Sequence, residues 1–215
     1  AVRLKKGNVK AAPIKNIPLQ LPFNSKAFTP ENFGYTVSFD KKGNSFAAEL
    51  IGDKVTCDNI TFSIADHENK NVIKCKGDTI QLPKEAAGKK LYILAASTDK
   101  DRKSTFLVNG KSHEFEIPYY SGFYGQWGHK GVSDGYIRNA SLAYIGSHRH
   151  TEKGNDTYIY TYMYKLGIEL PQEAHTLVLP KDENIAVFAI TLSDNYIDDI
   201  STANEMRTLP LEVSK

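Results

Sequence analysis

From Tyr158 to Leu170 every second side chain is aromatic or aliphatic: Tyr158, Tyr160, Tyr162, Tyr164, Leu166, Ile168 and Leu170. The opposite parity holds Ile159, Thr161, Met163, Lys165, Gly167 and Glu169 and grows polar towards its end. A period of two predicts a strand over 158–170, bent near Gly167, with its even-numbered side chains on the core. Ser104 to Ile117 places Phe106 and Val108 before Asn109-Gly110, and Phe115 and Ile117 after it. Asn-Gly accepts the positive φ angles of a two-residue turn, so an antiparallel hairpin is expected. Thr176 to Pro180 leads through a polar turn over 181–184 into Ile185 to Leu192, an almost unbroken apolar run. It reads as a central strand buried on both faces.

Shorter apolar runs at Tyr35 to Phe39, Ser45 to Ile51, Ile60 to Ala65, Thr79 to Leu82, Leu91 to Ala96 and Ile137 to Ile145 are separated by Gly, Asp, Asn and Lys turns. Many short strands at this spacing predict an all-β antiparallel sandwich or barrel. Helix is expected only as a turn around Lys84 to Gly88 and as a weak segment within Asp194 to Met206. Residues 1–16 and 207–215 read as an arm and a tail, where Pro13 and Pro210 oppose regular structure, leaving one domain over 17–206.

Composition narrows the function classes. The chain has 215 residues, with 27 Lys and Arg against 25 Asp and Glu. A formal charge of +2 gives no field of the kind that nucleic-acid binding needs, so no nucleic-acid partner is expected. Twelve Tyr and ten Phe against two Met suit pleated surfaces better than helix bundles. No apolar run approaches the roughly 20 residues of a membrane-spanning helix, and the first residues lack the apolar segment of a signal peptide. Cys57 and Cys75 match no zinc or redox spacing; two buried free thiols are expected, with a disulfide as the alternative.

Two segments depart from the strand-and-turn pattern. Tyr119 to Gly135 gathers Tyr119, Tyr120, Phe123, Tyr124 and the only tryptophan, Trp127, among glycines. Flat rings stack on the C–H faces of sugars, so Tyr124 and Trp127 are candidate carbohydrate-binding residues, unless they plug the end of the sandwich. Tyr144 to Tyr158 carries His148, Arg149, His150, Glu152, Asn155 and Asp156. On an extended segment His148 and His150 share one side and could share a metal, while Arg149 points away. A third ligand is missing at any familiar spacing: Glu152 follows His150 by only two residues, and His175 is the only later histidine. His148, Arg149, His150 and Asn155 are therefore read as hydrogen-bonding partners for sugar hydroxyls, with no metal or other cofactor expected. The chain has no Gly-x-Ser-x-Gly elbow and no activated cysteine, so no catalytic residue is assigned.

GDTIQLP at 77–83, KLYILAAST at 90–98, TFLVNG at 105–110, YSGFYGQW at 120–127, SHRH at 147–150, NDTYIYTYMYKLGIELP at 155–171 and HTLVLPKDENIAVFAITL at 175–192 follow one another in order. In them the chain resembles the C-terminal β-sandwich region of bacterial, Bacteroides-type family 38 α-mannosidases and related galactose-binding-like domains. The resemblance implies a jelly-roll, galactose-binding-like accessory domain in a periplasmic or extracellular protein. It also implies a mannose-containing glycan and a catalytic module in the same protein as partners. The zinc ligands and nucleophile of those enzymes belong to another region and have no counterpart here, so the chain is expected not to be an enzyme by itself. Two alternatives stand beside this reading: a small jelly-roll metalloenzyme using His148 and His150, and a structural or adhesive domain.

Overall fold

The computed structural model describes residues 14–31, 37–122 and 140–194. Its strands are β1 (Asn16–Pro18), β2 (Phe28–Thr29), β3 (Ser45–Ala47), β4 (Lys54–Cys57), β5 (Ile60–Ser63), β6 (Ile73–Lys74), β7 (Thr79–Gln81) and β8 (Lys90–Ser97). Then come β9 (Arg102–Val108), β10 (Lys111–Ile117), β11 (Ser121–Gly122), β12 (Ser141–Thr151), β13 (Gly154–Glu169), β14 (Thr176–Val178) and β15 (Ile185–Ser193). Two 3-10 turns, Ala48–Leu50 and Lys84–Ala86, are the only helical pieces among the described residues. No helix there is long and apolar enough to cross a membrane.

The main sheet runs β1-β15-β8-β13-β12-β3-β2, with β11 added on β13 and β6 on β15. All its pairings are antiparallel except β2 with β3. Both faces of this sheet are covered, as its central strands show residue by residue. On β8, Tyr92, Leu94 and Ala96 enter a core with Phe28, Phe39, Phe46, Phe62 and Phe188. The alternate residues Leu91, Ile93 and Ala95 enter a second core with Phe106, Val108, Leu177 and Leu179. The second core is closed by the four-stranded sheet β10-β9-β14-β7, and the first in part by the β4–β5 hairpin. The result is an all-β sandwich.

Two expectations read from local pattern agree with these strands. Every residue of β15 is buried, as its unbroken apolar run requires. The β9–β10 hairpin turns on Asn109 (φ 48°) and Gly110 (φ 82°), the positive-φ pair of a two-residue turn. Asn109 also docks the turn onto the start of β14, the neighbouring strand of the same sheet: its side-chain N–H donates to the Glu173 carbonyl at 2.9 Å, and its Oδ1 accepts from the backbone N–H of His175 and Thr176. A Cβ on Gly110 would meet nothing within 4 Å, so only the backbone angle constrains that position. Gly110→Val is expected to cost about 2 kcal/mol through strain at positive φ. A melting temperature equal to that of the parent would show that the turn does not need this conformation.

Other boundaries differ from the sequence reading. The run Ser45 to Ile51 is strand only to Ala47, because the chain then turns through Ala48–Leu50. Val37 to Phe39 is not strand, and Tyr35 lies outside the described residues, as does the expected helix beyond Asp194. The strand expected over 158–170 starts earlier, at Gly154. Its even-numbered side chains are buried from Tyr162 to Leu170, but Tyr158 is 75% exposed. Asn16 already pairs with Ser193, so the chain joins the sheet inside the expected N-terminal arm. Neither cysteine forms a disulfide; Cys75 is buried, whereas Cys57 is only half-buried beside the Asp58-Asn59 turn. Burial pushes the Cys75 thiol far above its ordinary range, which leaves it inert.

Candidate functional site

The segment around His148 is strand rather than polar loop. It forms the C-terminal half of β12, paired to β13 through His148↔Thr157, Arg149↔Asp156 and His150↔Asn155. On its other edge β12 takes β3 through Arg149↔Phe46 and His150↔Ser45. This register runs β3 past the histidines, and the 3-10 turn that follows β3 then carries Glu49 over them. Glu49 Oε1 lies 3.1 Å from His148 Nε2 and 3.0 Å from His150 Nε2. The two imidazoles stand on one side of the strand with ring centroids 5.5 Å apart. His150 is buried, at 4% exposure. The His148 side chain is 15% exposed and that of Glu49 28%, so the group opens outward on its Glu49 side. Ser147 Oγ, 3.2 Å from His148 Nδ1, orients that ring from behind.

With the sandwich and this cluster in view, comparison with protein families is decisive about the domain. Residues 15–196 match the model of the AziU2-like beta-sandwich domain. The chain belongs to that family. No curated protein matches it. Membership in the AziU2-like family carries the β-sandwich part of the resemblance described above.

In this AziU2-like sandwich Arg149 points to the opposite side of β12 from the histidines. Its Nε and Nη2 both donate to Asp156 Oδ2, at 2.8 and 2.7 Å, across the ribbon. It also reaches the Tyr119 hydroxyl, whose acidity is lowered by burial first and by Asp40 second, against the pull of Arg149. Next to Tyr119, the fully buried Tyr120 donates its hydroxyl to Asp40 Oδ2 at 2.9 Å. Asp40, 3% exposed, has all its acceptor positions engaged. Oδ1 accepts from the backbone N–H of Lys42 and Asn44, and Oδ2 from Asn44 Nδ2 as well as Tyr120. Burial and then the Asp40 charge hold the Tyr120 phenol far above its usual range. These two tyrosines are thus fixed in place and neutral.

The sequence-predicted residues therefore separate. His148 and His150 converge, Arg149 turns to the other side, and Asn155 is exposed opposite His150 at the start of β13. Tyr124 and Trp127 lie outside the described residues. Glu152 sits beside Gly43, and the His175 Nδ1 pairs with the Glu173 carbonyl, so neither joins the histidines. The AziU2-like sandwich instead adds two residues that pattern reading missed. One is Glu49, about a hundred positions upstream of the pair it meets. The other is Tyr158: between His148↔Thr157 and Gly146↔Thr161, the single residue Ser147 stands against the three residues 158–160. In this bulge Tyr158 adopts φ 67°, an outlier for a bulky side chain, and is turned out to solvent.

Proposed function

We propose that this β-sandwich is an accessory carbohydrate-binding domain, non-catalytic by itself, that serves a glycoside hydrolase of α-mannosidase type in the periplasm or outside the cell. The observation that carries this reading is Tyr158, an aromatic ring held outward by a bulge in β13 where it pairs with β12. Strained backbone at an exposed aromatic gains nothing for the core and suits a ring kept ready for a ligand. Sugar rings stack on such a face, and the ribbon offers hydroxyl and amide partners one to three residues away in Thr157 and Asn155. Tyr124 and Trp127 supply the remaining aromatic contacts in this reading, and Arg149, ion-paired to Asp156, serves to stiffen the ribbon.

Calorimetric titration of the purified domain with oligomannosides is the test. A saturable heat is expected. Tyr158→Ala should weaken binding by about tenfold, the equivalent of about 1.4 kcal/mol, while the melting temperature stays within about 1 °C of the parent because the ring is solvent-exposed. A folded domain silent towards every mannoside would remove the glycan reading. Equal affinity in the Tyr158→Ala protein would remove the surface assigned here.

A further inference from the structure

We propose that Glu49, His148 and His150 bind one divalent first-row transition-metal ion through three protein ligands, with an open side towards solvent. This inference does not rest on the glycan reading, although Thr157 and Asn155 stand in register with His148 and His150 on the same side of the ribbon. Imidazole and carboxylate ligands hold such an ion at about 2.0–2.2 Å, so adjacent ligand atoms around it lie about 2.8–3.6 Å apart, from octahedral to tetrahedral geometry. The two Nε2–Oε1 separations, 3.1 and 3.0 Å, have that size, and all three ligand atoms lie within 4.8 Å of one another. One carboxylate oxygen shared by two imidazoles is the arrangement an ion would draw together.

The donor chemistry narrows the ion. Two imidazoles with one carboxylate suit zinc, iron, cobalt, nickel or copper and disfavour magnesium and calcium, which take oxygen ligands. Three protein ligands leave at least one position for water or a small oxygen anion, as in sites that bind and activate rather than only brace. The partial exposure of Glu49 and His148 places that position on the solvent side, while buried His150 anchors the group. Both histidines project from one strand braced on either edge by β13 and β3, so the ligands are positioned before an ion arrives. When the ion takes Nε2 of His148, the ring proton sits on Nδ1, which can donate a hydrogen bond to Ser147 Oγ.

The experiment uses chelator-stripped protein, titrated with cobalt and followed by its visible d–d absorption, then with zinc in competition. One cobalt per chain is expected, displaced by zinc, with a rise in melting temperature on saturation because the ion binds only the folded chain. Glu49→Gln and His148→Ala, both partly exposed, should each weaken binding at least tenfold while circular dichroism stays unchanged. If Glu49→Gln misfolds, Glu49→Asp keeps the charge, shortens the reach and must show the same weakening. A featureless cobalt titration, or variants that bind as tightly as the parent, would overturn the proposal. Glycan titration of the stripped protein tests the glycan reading with no ion present, so the two can fail independently.

Discussion

Replacing Phe46 by alanine is expected to lower the unfolding free energy by about 3–5 kcal/mol, the range for truncating a buried aromatic in a core that cannot collapse around the gap. Phe46 is fully buried, and its ring lies 5.2–5.4 Å from those of Tyr120, Phe188 and Phe39, with Phe28 at 5.8 Å. Rings so arranged on four separate chain segments cannot all move inward. In a domain of this size the loss corresponds to a fall in melting temperature of about 10 °C. The variant has a second readout. Phe46 pairs with Arg149 in the β3–β12 register, three residues before Glu49, so loosening it should also weaken cobalt binding. Leu50, at the rim of the same turn and 36% exposed, is the control. Leu50→Ala should cost less than about 1 kcal/mol. Comparable losses in the two variants would mean that Phe46 is not the keystone the ring contacts describe.

Asp40→Ala should be nearly as severe, at about 3 kcal/mol or more. It strands four donors at once: two backbone N–H groups, the Asn44 amide and the Tyr120 hydroxyl. Each buried donor left without a partner costs about 1–3 kcal/mol, although water admitted to the vacated space recovers some of it. Tyr120→Phe removes a single donor and leaves the carboxylate with three, so about 1 kcal/mol is expected. Urea unfolding of both proteins tests the ranking. An Asp40→Ala loss no larger than that of Tyr120→Phe would show that the carboxylate does not organise the turn over 40–44.

Features whose cause is local were legible in the chain, and those set by distant segments were not. Asn109-Gly110 announces its turn because only a few residue types accept two successive positive φ angles. Ile185 to Leu192 announces burial on both faces because no polar residue interrupts it except Thr191, whose hydroxyl donates to the Thr61 carbonyl. The same rule hid the hairpin turn at Asp58-Asn59, where positive φ is carried without glycine. It also hid β4, in which Val55 is the only fully buried residue. Alternation placed Tyr158 on the core, yet a bulge with no glycine on its own strand within 158–160 to mark it reverses the ring. The His-x-His pair was visible as two side chains on one side of a strand. Its carboxylate was not: in sequence Glu49 is one polar residue in a short apolar run, and only the 3-10 turn after Ala47 and the β3–β12 register carry it to the histidines.

The pairing of Asn16 with Ser193 has a consequence for how such a domain can be joined to others. The chain enters and leaves the sheet side by side, on β1 and β15. The cluster of Glu49 and the two histidines hangs on β12 and β3, near the far border of the same sheet. Four strand spacings of about 4.8 Å separate β1 from β12, so about 20 Å of sheet stands between the attachment points and the histidines. Tethers spliced at these two points share one anchorage, much as both ends of a handle meet a single wall, and neither tether starts at the opposite border. A circular permutant that fuses the two anchorage points and opens the chain at Asn109-Gly110 would keep that border intact.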